Sequence, residues 1–313
     1  EYRNERESLS NRLLNEVFNH AASTPEEKEL LTALSVYREA FNSQAIKISF
    51  DDSYKEPLRK LIDKLLIEKK QSNFSIHSLA REFAYDKLTE RTTAHKNAAI
   101  YYSEITNRTD LAYYEELFYH LEKAEMHSTI SDYIEEKGEY IFDIGYTKLL
   151  ESKIRMLIKK GIESVVLYNF LSDLSYMLNS EVDISIQYSK KALSLNSNNN
   201  KANLEAKITL NEALDRKGEL QSPYRTFKAL LAECEEVDFS KGACICLSYV
   251  GKYLGIAGKF EEAERKMKAS CIMSEKLNYA SGIKHCHLTL GGYLIERNRY
   301  KEAKENFQKV YDY

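Results

Sequence analysis

Two glycine–lysine pairs, Gly251-Lys252 and Gly258-Lys259, are of the residue types found in phosphate-binding loops. Such a loop has the pattern Gly-x-x-x-x-Gly-Lys-Ser/Thr, because its backbone amides surround the phosphates and its hydroxyl binds magnesium. Both pairs lack the earlier glycine and the following hydroxyl. Their spacing therefore predicts turns between helices and does not predict a nucleotide site.

Cysteines and histidines at short spacing are the other candidates for chemistry. Cys244 and Cys246 are two positions apart, and His285 and His287 flank Cys286. In a helix, residues at this spacing point about 200° away from each other, so such pairs do not share a metal ion. The chain also lacks the Gly-x-Ser-x-Gly motif that presents a nucleophilic serine. We therefore predict no metal site, no catalytic residue and no cofactor in this chain, which by itself is not an enzyme.

The composition indicates a helical protein. Proline and glycine are scarce, with three and eleven residues, while straight-chain residues that suit helices are abundant. The formal charge of −3 and the absence of a basic block argue against nonspecific nucleic-acid binding. No apolar run approaches the roughly 20 residues that span a bilayer, so we expect no membrane partner. The five cysteines lack a disulfide-framework spacing, which favours a reducing, cytoplasmic location.

A repeat with a period of 40 residues runs through the C-terminal half and aligns Gly218, Gly258 and Asn298. We predict that these residues end helices in the left-handed conformation. Apolar residues recur at helical spacing on both sides of each turn, so every unit is predicted to be a helix, a tight turn and a second helix. Small residues lie where the two helices would meet, with Pro223 interrupting the pattern: Gly251, Gly291, Ala263 and Ala303.

These helix pairs resemble tetratricopeptide repeats. The resemblance is carried by the stretch 185–195, by Gly258-Lys259-Phe260-Glu261-Glu262-Ala263 and by Arg299-Tyr300-Lys301-Glu302-Ala303. It covers residues 166–313, although the period is longer than the ~34 residues of the common repeat. A single repeat cannot bury its own apolar face, so the units are expected to stack into an α-α superhelix. The predicted fold class is all-α, and we expect the array to be truncated because Tyr313 falls within a second helix.

The N-terminal part of the chain has a different pattern. Ser23-Thr24-Pro25 followed by Glu26 and Glu27 predicts a helix start, and Pro57 predicts another. Two short strands are predicted around a polar turn, within 66–70 and 73–77, and a last helix carries Leu79, Phe83, Ala84 and Leu88. This order favours a small winged-helix domain over residues 23–92.

The segment from Leu61 to Leu88 resembles the winged helix of STAND (signal-transducing) NTPases, the group that includes NB-ARC and maltose-regulon-activator-like proteins. Leu65-Leu66-Ile67 and the run from Phe74 to Ala84 carry this resemblance. It implies that residues 1–22 are the tail of a preceding helical domain and that residues 93–165 connect the winged helix to the repeats. It also implies an NTPase domain, absent from this chain, that binds ATP or ADP and contacts the winged helix. The lack of an initiator methionine or a signal peptide agrees with a start inside a longer polypeptide.

His77 is the one residue that the resemblance implies in nucleotide sensing. In the family, a histidine in a Met-His-Asp-like motif senses the β-phosphate of the bound nucleotide. Ser78 replaces the acid of that motif here, so a latch that depends on the carboxylate is in doubt. An imidazole suits this role because it can donate a hydrogen bond to a phosphate.

A protein or peptide ligand is the expected partner of the repeats. In tetratricopeptide arrays the first helices line the concave surface, and their residues that do not pack against neighbouring helices contact the ligand. Carried onto this sequence, the pattern selects Glu205, Glu212, Asp215, Arg216, Ser248, Lys252, Ile256, His285, Leu288 and Glu296.

Three functions follow as hypotheses. The first is the ligand-sensing region of a STAND-type ATPase that binds a protein trigger, with antiviral defence favoured over transcriptional activation as its output. The second is a standalone adaptor that joins two proteins without a nucleotide. The third, direct DNA binding by the winged helix, is the least favoured, because acids interrupt the basic residues of its helix at 56–66: Lys55, Arg59, Lys60 and Lys64.

Overall fold

The computed structural model of the chain describes residues 16, 22–50, 52–105, 110–178, 181–195 and 197–312. It divides into two compact units, Glu1–Ile130 and Ser131–Tyr313. The division falls inside the connector predicted over residues 93–165. The helical tail predicted for residues 1–22 lies outside the described residues, apart from Glu16 and Ala22. Helices account for nearly all regular structure, which confirms the all-α fold class.

The first unit combines short helices with a small antiparallel sheet. In chain order its elements are α1 (Pro25–Leu34), β1 (Phe41–Asn42), α2 (Ser43–Ser49), a 3₁₀ turn (Asp52–Tyr54), α3 (Lys55–Asp63), β2 (Glu68–Lys70), β3 (Asn73–Ser75), α4 (Ser78–Lys87), α5 (Arg91–Glu104) and α6 (Leu111–Lys123). The helix α7 (His127–Asp143) contains the boundary between the two units. The predicted hairpin is present as β2 and β3. The third strand, β1, was not predicted, and it pairs with β3 to give the order β1-β3-β2.

Local chemistry explains where α1 begins. The Thr24 hydroxyl accepts a hydrogen bond from the amide of Glu27 at 3.3 Å, and Pro25 occupies the first turn, as predicted. The Glu27 carboxylate accepts a hydrogen bond from the amide of Ser23 at 2.8 Å, which completes a reciprocal cap. The helix then buries its apolar stripe of Leu30, Leu31 and Leu34.

The second unit is an array of helix pairs. After α7 come α8 (Thr147–Lys159), α9 (Val165–Asp173) with a π-helical turn (Leu174–Leu178), α10 (Val182–Ser194), α11 (Asn200–Lys217), α12 (Pro223–Glu236), α13 (Ser240–Ile256), α14 (Phe260–Lys276), α15 (Ala280–Glu296) and α16 (Tyr300–Asp312). The helices α11, α13 and α15 begin 40 residues apart, which confirms the period. The residues Gly218, Gly258 and Asn298 have φ angles of 72°, 79° and 58°, so the predicted left-handed turns are confirmed.

Close approach between paired helices depends on small residues. A Cβ atom on Gly251 would lie 3.0 Å from the carbonyl oxygen of Ala263 and 2.7 Å from Cγ of Met267. A Cβ atom on Gly291 would lie 2.5 Å from the ring of Phe307. Ala263 and Ala303 are fully or almost fully buried on the opposing helices. In these two pairs the first and second helices therefore pack so closely that one of them has no room for a side chain at the contact.

The array curves because the first helices of successive pairs lie closer to each other than the second helices do. The first helices of successive pairs, α9, α11, α13 and α15, contact each other directly, whereas the second helices contact each other far less. The curvature brings α7 close to helices that follow much later in the chain. Lys241 of α13 forms an ion pair with Glu139 of α7, and the Ser281 hydroxyl donates to Oδ1 of Asp143 at 3.3 Å. The first helices therefore line the concave side of the array.

Replacing glycine with alanine is expected to change the free energy of unfolding in opposite directions at Gly251 and at Gly292. Gly251→Ala places a methyl group against the Ala263 backbone and should lower the free energy of unfolding by about 1–3 kcal/mol. Gly292→Ala, at a helical position with open space around it, should raise it by up to about 1 kcal/mol through helix propensity. Denaturant unfolding followed by circular dichroism measures both. Equal effects of the two substitutions would contradict the close approach at Gly251.

Candidate protein-binding surface

The structure brings most of the predicted groove residues into one network on the concave side, which we call the inner face. It comprises polar residues of α9, α11, α13 and α15 and of the π-helical turn. Seven of the ten predicted residues belong to it or touch it: Glu205, Glu212, Asp215, Arg216, Ser248, Lys252 and His285. Because these residues come from three different helices, the sequence spacing alone does not show that they meet.

The N-terminal end of the inner face is acidic. Asn169 donates from Nδ2 to Oε2 of Glu205 at 3.0 Å and to the backbone oxygen of Ala202 at 2.9 Å. The Thr209 hydroxyl donates to Oδ1 of Asp173 at 3.1 Å. Asn169 and Asp173 were not predicted to belong to this surface. A usable signal was present, since both are polar residues four positions apart in a largely apolar helix.

Glu212 stands at the centre of the inner face. Its Oε1 lies 3.7 Å from Nδ1 of His285, and its carboxyl accepts a hydrogen bond from Tyr249. The other ring nitrogen of His285, Nε2, lies 2.8 Å from the hydroxyl of Ser248. The rings of Tyr249 and His285 lie 5.2 Å apart, centroid to centroid. Glu212, Tyr249, Ser248 and His285 thus connect three consecutive first helices.

Asp215 and Lys252 form the C-terminal end of the network. Lys252 Nζ lies 2.9 Å from Oδ2 of Asp215, whose other oxygen accepts a hydrogen bond from the hydroxyl of Tyr253. The ammonium group also lies 5.2 Å and 5.1 Å from the ring centroids of Tyr249 and Tyr253. Arg216 is exposed, with its guanidinium carbon 5.3 Å from the Tyr176 ring centroid.

Burial changes the protonation of the inner face. It raises the pKa of Glu212 to about 8 and raises the pKa of Asp173 and Glu205 as well, with neighbouring carboxyls as the next cause for Asp173. Burial, followed by the charge of Lys252, lowers the pKa of His285 to about 4. The physical cause is the same for both residue types, because removal from water disfavours the charged form. At neutral pH the centre of the inner face is therefore less charged than its residue types suggest.

Three predicted groove residues are exposed, and in the parts of the chain that the structure describes no hydrogen bond or ion pair joins them to this network. Ile256 and Leu288 are 70% and 51% exposed, and Glu296 is exposed near the end of α15. Ile256 instead lines an open cavity of about 470 Å³ together with Pro223, Tyr224 and Tyr253. Their role as ligand contacts stays a prediction.

His77 lies between β3 and α4 in the first unit. It occupies the N-cap position of α4, is exposed, and its side chain makes no capping hydrogen bond. Its side chain is therefore accessible from solvent in this chain. Its role in sensing a nucleotide stays a prediction.

The basic residues named for the DNA hypothesis are paired with acids. Lys64 lies 2.7 Å from Glu27, and Lys55 lies 2.9 Å from Asp52. Arg59 and Lys60 both lie within ion-pair distance of Glu56. Phosphate contacts require unneutralised positive charge, so this helix offers little to a nucleic-acid backbone.

The first unit also contains a buried polar network that sequence reasoning did not find. Nδ1 of His95 lies 2.8 Å from Nδ1 of His120, and the Tyr85 hydroxyl lies 3.0 Å from Nε2 of His95. Arg38 pairs with Glu116, whose Oε2 lies 3.6 Å from Nε2 of His120. Burial lowers the pKa of His95 to about 3 and also lowers that of His120. Both rings are therefore neutral near pH 7, which fits a structural role.

The cysteines considered as candidates for chemistry lie in the helices of the second unit. All five cysteines are free and buried. Within the described ranges, no group of three or more potential ligands could hold a metal ion. In the same ranges, no helix has both the length and the apolar character needed to cross a membrane.

Comparison with known proteins identifies the fold. No protein-family model matches this sequence, and no curated protein matches it. Among solved structures, the chain is similar to a Signal Transduction ATPase with Numerous Domains (STAND) protein with a tetratricopeptide repeat sensor, from Pyrococcus horikoshii. The TM-score is 0.62 at 17% sequence identity, over 96% of this chain and 52% of that one. At this identity the likeness is one of fold, and this chain spans about half the length of that protein.

Replacing Glu212 with glutamine tests the protonation of the inner face. The pKa of Glu212 is about 8 in the folded chain but about 4.3 when unfolded. The folded state therefore retains a proton that the unfolded state loses, and the associated stability is lost as pH rises from about 4.3 towards 8. The glutamine of Glu212→Gln imitates the protonated carboxyl at every pH. The melting temperature of the variant minus that of the unsubstituted protein should therefore increase between about pH 5 and about pH 8.5.

Thermal denaturation followed by circular dichroism measures this difference. The solvent-exposed Glu235→Gln is the matched control and should show no such pH dependence. A Glu212→Gln effect that does not vary with pH would contradict a raised pKa at this site.

Proposed function

We propose that this chain is the regulatory, ligand-sensing region of a STAND-type signalling ATPase and that its helical repeats bind a protein trigger. The observation that carries the proposal is the likeness of fold along 96% of this chain to a STAND protein with a tetratricopeptide repeat sensor. A stacked helical array offers an extended concave surface, which is suited to binding another protein. The inner face, with polar groups from successive first helices, supports this role.

The first unit supports the same proposal through its topology. Its elements follow the order helix, strand, helix, helix, strand, strand, from α1 to β3, with β1 pairing with β3. Winged-helix domains use this arrangement. In the proposal this unit contacts an NTPase domain outside the present chain and holds it in a resting, ADP-bound state. His77, exposed after β3, is then the candidate to face the nucleotide.

Activation in this scheme requires the trigger to distinguish two states. A ligand shifts a conformational equilibrium only by the difference between its affinities for the two conformations. The trigger must therefore bind the inner face more tightly in the released state than in the resting state. Of the two outputs that the family resemblance implies, we favour antiviral defence over transcriptional activation.

The coding sequence of the native polypeptide provides the first test. We expect several hundred residues to precede Glu1 and to contain a Gly-x-x-x-x-Gly-Lys-Ser/Thr loop between a strand and a helix, because the regulatory region acts on an NTPase domain. Sequencing the transcript and measuring the mass of the native protein check this. A native protein that begins near Glu1 would remove the ATPase proposal and favour the adaptor hypothesis.

Site-specific cross-linking tests where the trigger binds. A photo-reactive phenylalanine analogue at Leu288, on a first helix, should form a covalent adduct with a protein in stimulated cells. The same analogue at Ile272 of α14, a second helix, is the matched control because the two positions are similarly exposed, at 51% and 52%.

The adduct should disappear when Glu212 and Asp215 are replaced by lysine and Lys252 by glutamate, because the charges of the inner face are then reversed. Circular dichroism establishes that this triple variant is folded. An undiminished adduct in the folded variant, or equal adducts from Leu288 and Ile272, would contradict binding at the inner face.

A further inference from the structure

Three acids of the inner face have no cationic partner in the residues that the structure describes. Asp173 is bonded to Thr209, Glu205 to Asn169, and Glu212 to Tyr249, with the weakly basic His285 nearby. The lysines of the same surface are engaged elsewhere, Lys241 with Glu139 and Lys252 with Asp215. Buried carboxyls usually have a compensating charge. Lys241 and Lys252 are near enough to act on Glu205 and Glu212 through their charge, but each forms its ion pair with another acid.

Asn169 gives an independent indication of a missing ligand. Its side chain is 3% exposed, and its Oδ1 atom has no hydrogen-bond partner. The amide lies against the acids, because its Nδ2 donates to Glu205 at 3.0 Å. A buried acceptor without a donor is uncommon and destabilising, so a donor that reached this atom would stabilise it.

The surroundings favour a cation as that donor. Asp173, Glu205 and Glu212 are mostly buried but keep part of their surface exposed, so a side chain entering from the concave side can reach them. Tyr249 and Tyr279 adjoin the same acids, and aromatic ring faces also attract cations. Ammonium and guanidinium groups carry several donors and no acceptor, which matches a site of carboxyls and an amide oxygen. A metal ion fits less well, since no described group of ligands could hold one.

We propose that Asp173, Glu205 and Glu212 receive a lysine or arginine side chain of the protein trigger, with Asn169 accepting one of its hydrogen bonds. This proposal rests on the proposed function, because it takes the occupant to be a protein bound at the inner face. It adds a chemical requirement: the trigger presents a basic residue to the concave surface.

The binding is linked to proton release. Burial raises the pKa of all three acids, and a bound cation would lower it again by favouring the ionised carboxyl. Affinity for a cation should therefore increase as pH rises towards 8, the pKa of Glu212, while a lysine or arginine ligand stays charged. Nine other titratable or charged groups lie near the three acids and also act on their protonation: Glu139, Tyr176, Asp215, Lys241, Tyr249, Lys252, Tyr279, His285 and Cys286.

The probe is an acetylated, amidated lysine pentapeptide, compared with its glutamine counterpart by isothermal titration calorimetry on the whole chain. We expect the lysine peptide to bind, with affinity rising from about pH 6 to about pH 8, and the glutamine peptide not to bind. The variant Asp173→Asn/Glu205→Gln/Glu212→Gln should bind at least ~10-fold more weakly. The control Glu235→Gln/Glu236→Gln/Glu261→Gln removes the same number of carboxyl groups from exposed positions on second helices and should bind normally.

Nuclear magnetic resonance of the unsubstituted protein keeps the proposal testable if the inner-face variant does not fold. The lysine peptide should shift the side-chain amide resonances of Asn169. The proposal would be overturned if the lysine peptide did not bind, or if the lysine and glutamine peptides bound equally well. It would also be overturned if both triple variants lost affinity equally, or if the Asn169 resonances did not shift. The cross-link from Leu288 to a trigger is independent of these results, so the proposed function can stand when the basic-residue requirement falls.

Discussion

Each helix pair of the second unit leaves an apolar face that only the next pair covers, and the rest of the structure depends on this constraint. The buried cluster from Leu204 to Ala303 runs through successive pairs as one continuous core. Within a pair, contact is set by positions such as Gly251, where the opposing backbone leaves no space for a methyl group. The first helices then lie nearer to each other than the second helices do, and the array curves.

Curvature has an electrostatic consequence on the concave side. Polar side chains that would be solvated on a flat surface are brought together from different helices and partly removed from water. Glu212 is 12% exposed, and its carboxyl is surrounded by Tyr249, His285 and the Asp215–Lys252 pair. Desolvation without a matching cation is what raises the pKa of such a carboxyl. The same arrangement that stabilises the array through apolar packing thus creates the acidic surface on which the proposed binding of a basic side chain rests.

Charged groups that are removed from water have different partners in the two units. In the first unit, the buried Glu116 is paired with the partly exposed Arg38, as buried charges usually are. In the second unit, three acids of the inner face have no lysine or arginine within ion-pair distance among the described residues. Unsatisfied polar atoms occur in both units, among them Nε2 of His120 and Oδ1 of Asn169. The proposed basic residue of the trigger would supply the cation that the acids of the inner face lack.

The amino-acid sequence by itself determined the class of fold, the repeat period and the turns, because these depend on local properties. Left-handed Gly218 and Gly258, the cap at Thr24 and the small residues at Gly251 and Gly291 are readable from residue type and spacing. The tertiary structure alone decided which polar residues meet. Asn169 and Asp173 join Glu205 and Glu212 only because α9 lies beside α11, and β1 joins the hairpin only through a pairing between distant segments. Helical periodicity depends on residues that are neighbours along the chain. The inner face depends on the rotation of each helix pair relative to the next, and no local sequence pattern predicts that rotation.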